Sequence, residues 1–432
     1  METRNSGRRT VISNATVAAD YGVFNGHLLI EGTQIAALVR ATDPVPHADE
    51  LIDGSGCVVL PGAIDMHTHF EDPGHTERED FTTGTMAAAA GGVTTVFEHP
   101  LTYPAVTTTE LYVSKREMAS RKAVIDFGLW GALTGSSLPH MAGQRHEGAI
   151  GFKAFMSDAG PDYDCVDDAE LLAGLEQAAA LDALVLVHAE NDAILRARIG
   201  GLRAAGRRDL RAHLEARPAL AEEEAAHRAL YLARRCGARL QIVHTSSPVT
   251  INLVTAARSA GQVATAEVCG HHLLLDADDF LRIGPSACCA PPLRDRSLVE
   301  QMWDRVLAGE IDSLVSDHGA YTVEEKRRGL EDIFESPLGC QDVQETVPAT
   351  FSEAYHNRGM TLDAFVRFSS TNAARTAGLY PRKGTIRPGS QADLAIWDLA
   401  TEWTVDAAAQ QFSKNPWSPY DGRRLRARVL RR

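Results

Sequence analysis

Between residues 10 and 60, short apolar runs alternate with turns. Thr10-Val11-Ile12, Gly26-His27-Leu28-Leu29-Ile30 and Gln34-Ile35-Ala36-Ala37-Leu38-Val39 read as strands. Near the other end, Gly384-Thr385-Ile386-Arg387-Pro388-Gly389 turns into the strand-like Ala392-Asp393-Leu394-Ala395-Ile396-Trp397-Asp398. Between these ends the pattern changes. Apolar runs at 92–98, 125–130, 149–153, 183–188, 240–244, 263–267 and 311–317 alternate with amphipathic or alanine-rich stretches at 85–90, 168–180, 221–235 and 250–260. Strands alternating with helices imply parallel β/α units. With the strand opened by Ile64 the runs number eight, the count of a (β/α)8 TIM barrel, and the central segment suits that fold's typical length of ~250 residues. The expected architecture is α/β. A barrel over 61–383 carries a small β-sandwich-like domain built from both chain ends, 1–60 and 384–432. Residues 200–217, rich in arginine and alanine, read as a loop or excursion on the barrel's catalytic face.

Length and charge narrow the function. A chain of 432 residues buries a large core and exceeds the usual single compact domain. A formal net charge of -14 discourages binding to nucleic acid and to anionic membranes, and favours a neutral or weakly charged small substrate. No apolar stretch is long enough to span a bilayer. The basic start, Met1-Glu2-Thr3-Arg4-Asn5-Ser6-Gly7-Arg8-Arg9, is followed by no apolar core of a secretory signal. The seven cysteines are odd in number and form no C-x-x-C pair. Free thiols in a reducing, cytoplasmic compartment are expected.

The candidate chemistry lies at strand ends. His67 and His69 alternate on one strand and so point the same way, either as a metal seat or as two histidines on a solvated edge. The rest of the chain decides for the metal seat. Five apolar strands end in a residue able to hold a metal: His67 and His69, Lys153, His188, His244 and Asp317. In a parallel barrel those ends open onto one face, where active sites lie. An unpaired ammonium at Lys153 would be costly to bury and repelled by dications. Its functional reading is therefore a neutral or a chemically modified amine, against a lysine that snorkels to solvent.

Five blocks resemble the amidohydrolase superfamily: Pro61-Gly62-Ala63-Ile64-Asp65-Met66-His67-Thr68-His69, Gly151-Phe152-Lys153-Ala154-Phe155-Met156, Val187-His188-Ala189-Glu190, Val243-His244-Thr245-Ser246-Ser247-Pro248 and Ser316-Asp317-His318. Phe70-Glu71-Asp72-Pro73-Gly74, Cys269-Gly270-His271-His272 and Ala290-Pro291-Pro292-Leu293-Arg294 resemble its cyclic-amide branch of allantoinases, hydantoinases, dihydropyrimidinases and dihydroorotases. The resemblance implies two divalent metal ions per chain, usually zinc, with manganese or cobalt as alternatives. His67, His69 and Asp317 would hold one and His188 and His244 the other. Lys153, carboxylated by CO2 to N6-carboxylysine, would bridge them. Asp317 would carry the proton from a metal-activated water to the leaving ring nitrogen. A homotetramer is also implied.

Specificity must be read elsewhere. Dihydroorotases resemble one another in an arginine where this chain has Glu71, and in an asparagine where it has Leu101, so a carboxylate-bearing ring is disfavoured. D-hydantoinases and dihydropyrimidinases place a tyrosine at Asp158; here a different residue, such as Tyr163 or Tyr321, could supply a hydroxyl. Thr82-Thr83-Gly84-Thr85, Phe97-Glu98 and Ser418-Pro419-Tyr420-Asp421-Gly422 are similar to allantoinases, whereas Asp317-His318-Gly319 and Pro100-Leu101-Thr102-Tyr103-Pro104 are similar to an L-hydantoinase. The implied activity is ring opening of a cyclic ureide or imide of allantoin type, with a hydantoinase as alternative. Glu71, Asp158, Ala290, His318 and Cys340 are the expected pocket. His99 reads equally as pocket lining or as structural; Cys269, His271 and His272 could suggest a further metal site but read rather as packing and support. Cytoskeletal relatives that lack the ligands, and mononuclear deacetylase-like enzymes that need no bridging lysine, are the rival classes. The arginine-rich run at 423–432 reads as a solvated strand. Family members commonly continue past it, which leaves completion of the small β domain open.

Overall fold

The computed structural model describes residues 7–410 and 412–431. Most of the basic start and the last residue of the arginine-rich run lie outside the described residues. The chain opens with β1 (Arg9–Ala19), β2 (Gly22–Glu31), β3 (Gln34–Arg40), β4 (Glu50–Asp53) and β5 (Val58–Pro61). The barrel strands follow: β6 (Ala63–His69), β7 (Val93–Glu98), β8 (Asp126–Leu129), β9 (Gly131–Ala132), β10 (Gly151–Phe155), β11 (Leu184–His188), β12 (Arg239–Ile242), β13 (Ala264–Cys269), β14 (Ser313–Val315) and β15 (His318–Gly319). Last come β16 (Leu394–Thr404) and β17 (Arg424–Arg431).

The barrel closes through two interrupted strands. β8 pairs with β7, and β9, one residue further on, pairs with β10. β14 pairs with β13, and β15, beyond Ser316 and Asp317, pairs with β6. Each interrupted pair acts as one barrel strand, so the ring has the expected eight. Side chains alternate between inside and outside. On β11, Leu184 and Leu186 join Ile64, Met66, Phe97, Trp130 and Val315 in the barrel interior. Val185 and Val187 pack outward in the layer under the helices.

Helices start where the sequence supplies caps. Asp80 accepts from the backbone N–H groups of Thr82 and Thr83 at the start of Phe81–Ala90, four residues ahead of the expected helix. Asp167 and Glu170 form a capping box on Asp168–Ala180. Residues 200–217, expected to be a loop, are mostly helical: they fall in Asp192–Ala204 and Leu210–Ala216. Alanine and arginine are strong helix formers, and their count was the better guide there.

Both chain ends enter one seven-stranded sheet, ordered β17-β16-β5-β1-β2-β3 with β4 on β1. β5 pairs antiparallel with β16 and leads through Gly62 directly into β6, which ties the small sheet to the barrel. A Cβ at Gly62 would fall 2.1 Å from Thr94 Oγ1, so only glycine fits this junction. The terminal run is a strand, but only half solvated: Leu425 and Ala427 are buried between exposed arginines.

Candidate active site

Strand geometry places every predicted ligand at one end of the barrel. His67 and His69 sit at the end of β6, Lys153 on β10, and His188 closes β11. His244 follows β12, and Asp317 occupies the break between β14 and β15. These last two adopt positive φ, 35° and 53°, a region that non-glycine residues rarely visit. Such strain persists where the surroundings hold it. His67 O accepts from Asp317 N (3.0 Å), and the Glu267 carboxylate accepts from His244 N (3.3 Å).

The side chains converge in a continuous series. Asp317 Oδ1 is 3.3 Å from His69 Nε2 and 3.1 Å from His67 Nε2. Lys153 Nζ is 3.4 Å from His67 Nε2, and His188 Nδ1 is 2.9 Å from His244 Nε2. His67, His244 and Asp317 each offer a ligand atom within 4.8 Å of the other two. All six expected ligands are thus brought together.

The remaining hydrogen bonds set which nitrogen faces inward. His67 Nδ1 contacts the Glu267 carboxylate, which also accepts from Gln241 Nε2. His188 Nε2 is 2.9 Å from Glu190 Oε2, and Arg217 reaches the same carboxylate oxygen. A ring nitrogen that donates to an ionised carboxylate leaves the other as a lone pair, so with Glu267 and Glu190 ionised His67 Nε2 and His188 Nδ1 face the cluster as bases. Burial, joined by neighbouring cationic groups, holds the pKa of His67 and His244 well below the ordinary imidazole range and lowers that of His188. Burial also pushes Lys153 down to about 8 and Glu267 up to about 8. Against burial, Arg217 and His188 hold Glu190 down to about 2. Neutral imidazoles, a carboxylate, an unpaired amine and carboxylates behind the rings are the donor set of a divalent-metal site, so these residues fit such ions.

Sequence reasoning missed Glu267, Glu190, Gln241 and Arg217. The available signal was a carboxylate ending the apolar run at 263–267 and another two residues after His188. His99 stacks on His67 with ring centres 3.9 Å apart and supports it from below rather than lining the cavity.

A cavity of about 580 Å³ opens over the cluster. Glu71, Asp158 and Ala290 line it as expected. His318 and Cys340 do not. Both are buried behind the wall, where His318 Nδ1 accepts from the backbone N–H groups of Asp342 and Val343. Being next to Asp317 in sequence misled, because residues alternate about the interrupted strand. The two candidate tyrosines also separate. Tyr163 is buried and donates to Lys153 O (2.8 Å), whereas Tyr321 lines the cavity beneath the Arg78 guanidinium. Arg78 in turn pairs with Glu71 and Glu325, at 3.1 and 2.7 Å.

Fold and site together define a class: parallel barrels that gather histidines and an aspartate at the C-terminal strand ends for hydrolytic chemistry. The model of the amidohydrolase family matches residues 58–419, and the chain belongs to that metal-dependent family. It is 40% identical over 424 residues to an allantoinase of Rubrobacter xylanophilus, covering 98% of this chain and 90% of that protein. It is 34% identical over 414 residues to an L-hydantoinase of Paenarthrobacter aurescens, covering 95% and 90% respectively. Among solved structures it is similar to the L-hydantoinase (dihydropyrimidinase) from Arthrobacter aurescens, with a TM-score of 0.95 and 33% identity. That match covers 98% of this chain and 93% of the other. Among the described residues, no helix is long and apolar enough to cross a membrane.

Proposed function

We propose that this chain hydrolyses a C–N bond of a small cyclic amide, opening an allantoin-like ureide ring. The observation that carries the reading is Asp317 Oδ1 within 3.1 and 3.3 Å of two inward-facing imidazoles on the floor of the cavity. His67, His69 and Asp317 would hold one divalent ion and His188 and His244 a second. Lys153, carboxylated on Nζ, would bridge the two. Carboxylation turns a buried cation into an anionic oxygen ligand, and an amine whose pKa burial has lowered is the form that reacts with CO2. When bound, the ions, zinc in this reading, lower the pKa of water and polarise the ring carbonyl.

The chain's own groups do the rest. Asp317 takes a proton from the attacking water and delivers it to the ring nitrogen as the C–N bond breaks. The water oxygen ends as part of a new carboxylate, and the nitrogen leaves as the open-chain amide. Glu267 and Glu190 keep His67 and His188 in the required tautomers. Tyr321, which lines the cavity, would donate to the developing oxyanion; the bond of the Tyr163 hydroxyl to Lys153 O disfavours that residue for the role. Glu71 stands where dihydroorotases resemble one another in an arginine, so that grip on a substrate carboxylate is missing, which supports a neutral ring over dihydroorotate.

The structural likeness to an L-hydantoinase supports hydantoin opening as the second reading. Steady-state kinetics of the metal-loaded protein with allantoin, L- and D-hydantoins, dihydrouracil, dihydroorotate and succinimide test both. The highest kcat/KM is expected for allantoin. Preference for dihydroorotate, or hydrolysis of none of these rings, would overturn the proposal.

A further inference from the structure

Behind the cavity wall lies a second group of metal-binding side chains that ring opening does not use. Cys269 closes β13, and His271 and His272 follow on the short helix Gly270–Leu274. Cys289 lies on the segment before Ala290, and Cys340 on the loop after Gly339. All five are buried. One ring nitrogen of His271 and the sulfurs of Cys289 and Cys340 lie within 4.8 Å of one another. Ligand atoms of Cys269, His271 and His272 meet the same limit.

The histidines are oriented as ligands. His271 Nδ1 is 3.0 Å from Asp342 Oδ2, the carboxylate–imidazole pairing that accompanies metal-bound histidine, and the ring also meets the Cys269 thiol. His272 Nε2 bonds Pro291 O (2.9 Å), leaving its Nδ1 buried and unpartnered. Orphaned buried polar atoms are rare and call for an explanation.

We propose that His271, Cys289 and Cys340 form the core of a structural site for a thiophilic divalent cation of the zinc and cadmium class. Thiolate and imidazole ligands are the preferred environment of such ions. Binding displaces the thiol protons to solvent. The Cys289 thiol, which now donates to Pro291 O (3.2 Å), gives up that bond, while the carbonyl keeps its donor from His272. The ion would join the end of β13 to two loops that line the cavity, those carrying Ala290 and Gly339. It would therefore brace the wall beside Asp317 rather than take part in the chemistry.

Cadmium titration of the full-length chain, followed by sulfur-to-cadmium charge-transfer absorption, tests this independently of the ring-opening site, whose ligands contain no sulfur. The expected result is a band that saturates at one sulfur-bound ion per chain. It should be lost in Cys289→Ser/Cys340→Ser and kept when the three outer thiols are replaced (Cys57→Ser/Cys165→Ser/Cys236→Ser). Cys340→Val, which preserves volume, gives the same reading should the double variant fold poorly. Absence of the band from the native chain would overturn the site, as would its survival in the Cys289/Cys340 variant.

Discussion

Replacing Glu267 with glutamine is expected to push metal affinity and metal-free stability in opposite directions. The side chain is fully buried and contacts His67 Nδ1, Gln241 Nε2 and His244 N. Glu267→Gln keeps the shape and an acceptor for His67. The new amide N–H would face the Gln241 amide, which can turn over, because its partner Thr265 Oγ1 is able to accept as well as donate. Hydrogen bonding is thus preserved and only charge is lost. Removing an anionic partner behind a metal-bound histidine weakens metal affinity about 10–100-fold, or about 1.4–2.7 kcal/mol. Stability of the metal-free chain moves the other way. Burial raises the Glu267 pKa from 4.5 to about 8, so across that window the native state holds a proton that the unfolded chain has released. Stability on this account is undiminished below pH 4.5 and falls as pH rises above it. Glu267→Gln lacks this slope. Urea melts of the metal-free proteins at several pH values, with chelator competition for metal affinity, check both arms. A variant with unchanged affinity, or one less stable than native without metal at pH 8, would refute the assigned role.

Lys153→Ala should lose binuclear loading, read by elemental analysis as fewer than two ions per chain, and activity with it; undiminished turnover would contradict the bridge. Glu190→Gln leaves Arg217 buried without its counter-charge and should destabilise by about 3–5 kcal/mol at neutral pH in chemical denaturation. The Glu190 pKa lies near 2 rather than 4.5, so its contribution is complete above 4.5. The gap between native and variant should narrow as pH falls towards 2. Tyr321→Phe should lower kcat about 10²-fold or more with little change in KM. Tyr163→Phe should leave kcat intact and lower stability by about 1 kcal/mol, since Lys153 O keeps its bond from Leu133 N.

Local pattern was enough to read the barrel and the polar residues at its strand ends. Apolar runs of strand length between amphipathic helices specify parallel β/α units, and a parallel barrel turns every strand end to one face. His67, His69, Lys153, His188, His244 and Asp317 could therefore be collected without knowing a single distance. Tertiary structure decided what alternation and adjacency cannot. Two barrel strands are interrupted, so His318 turns into the wall although it follows Asp317 directly. Glu267 and Glu190 gain meaning only from the imidazoles they meet, one of them 200 residues away in sequence. Tyr163 and Tyr321 are alike in the sequence, and only the fold ties one hydroxyl to a backbone carbonyl and leaves the other ring on the cavity wall. Cys289 and Cys340 reach His271 only because two loops fold over the end of β13. Period and propensity are properties of neighbours along the chain, whereas a tautomer, a pKa or a ligand set is fixed by groups that only folding brings within a few ångströms.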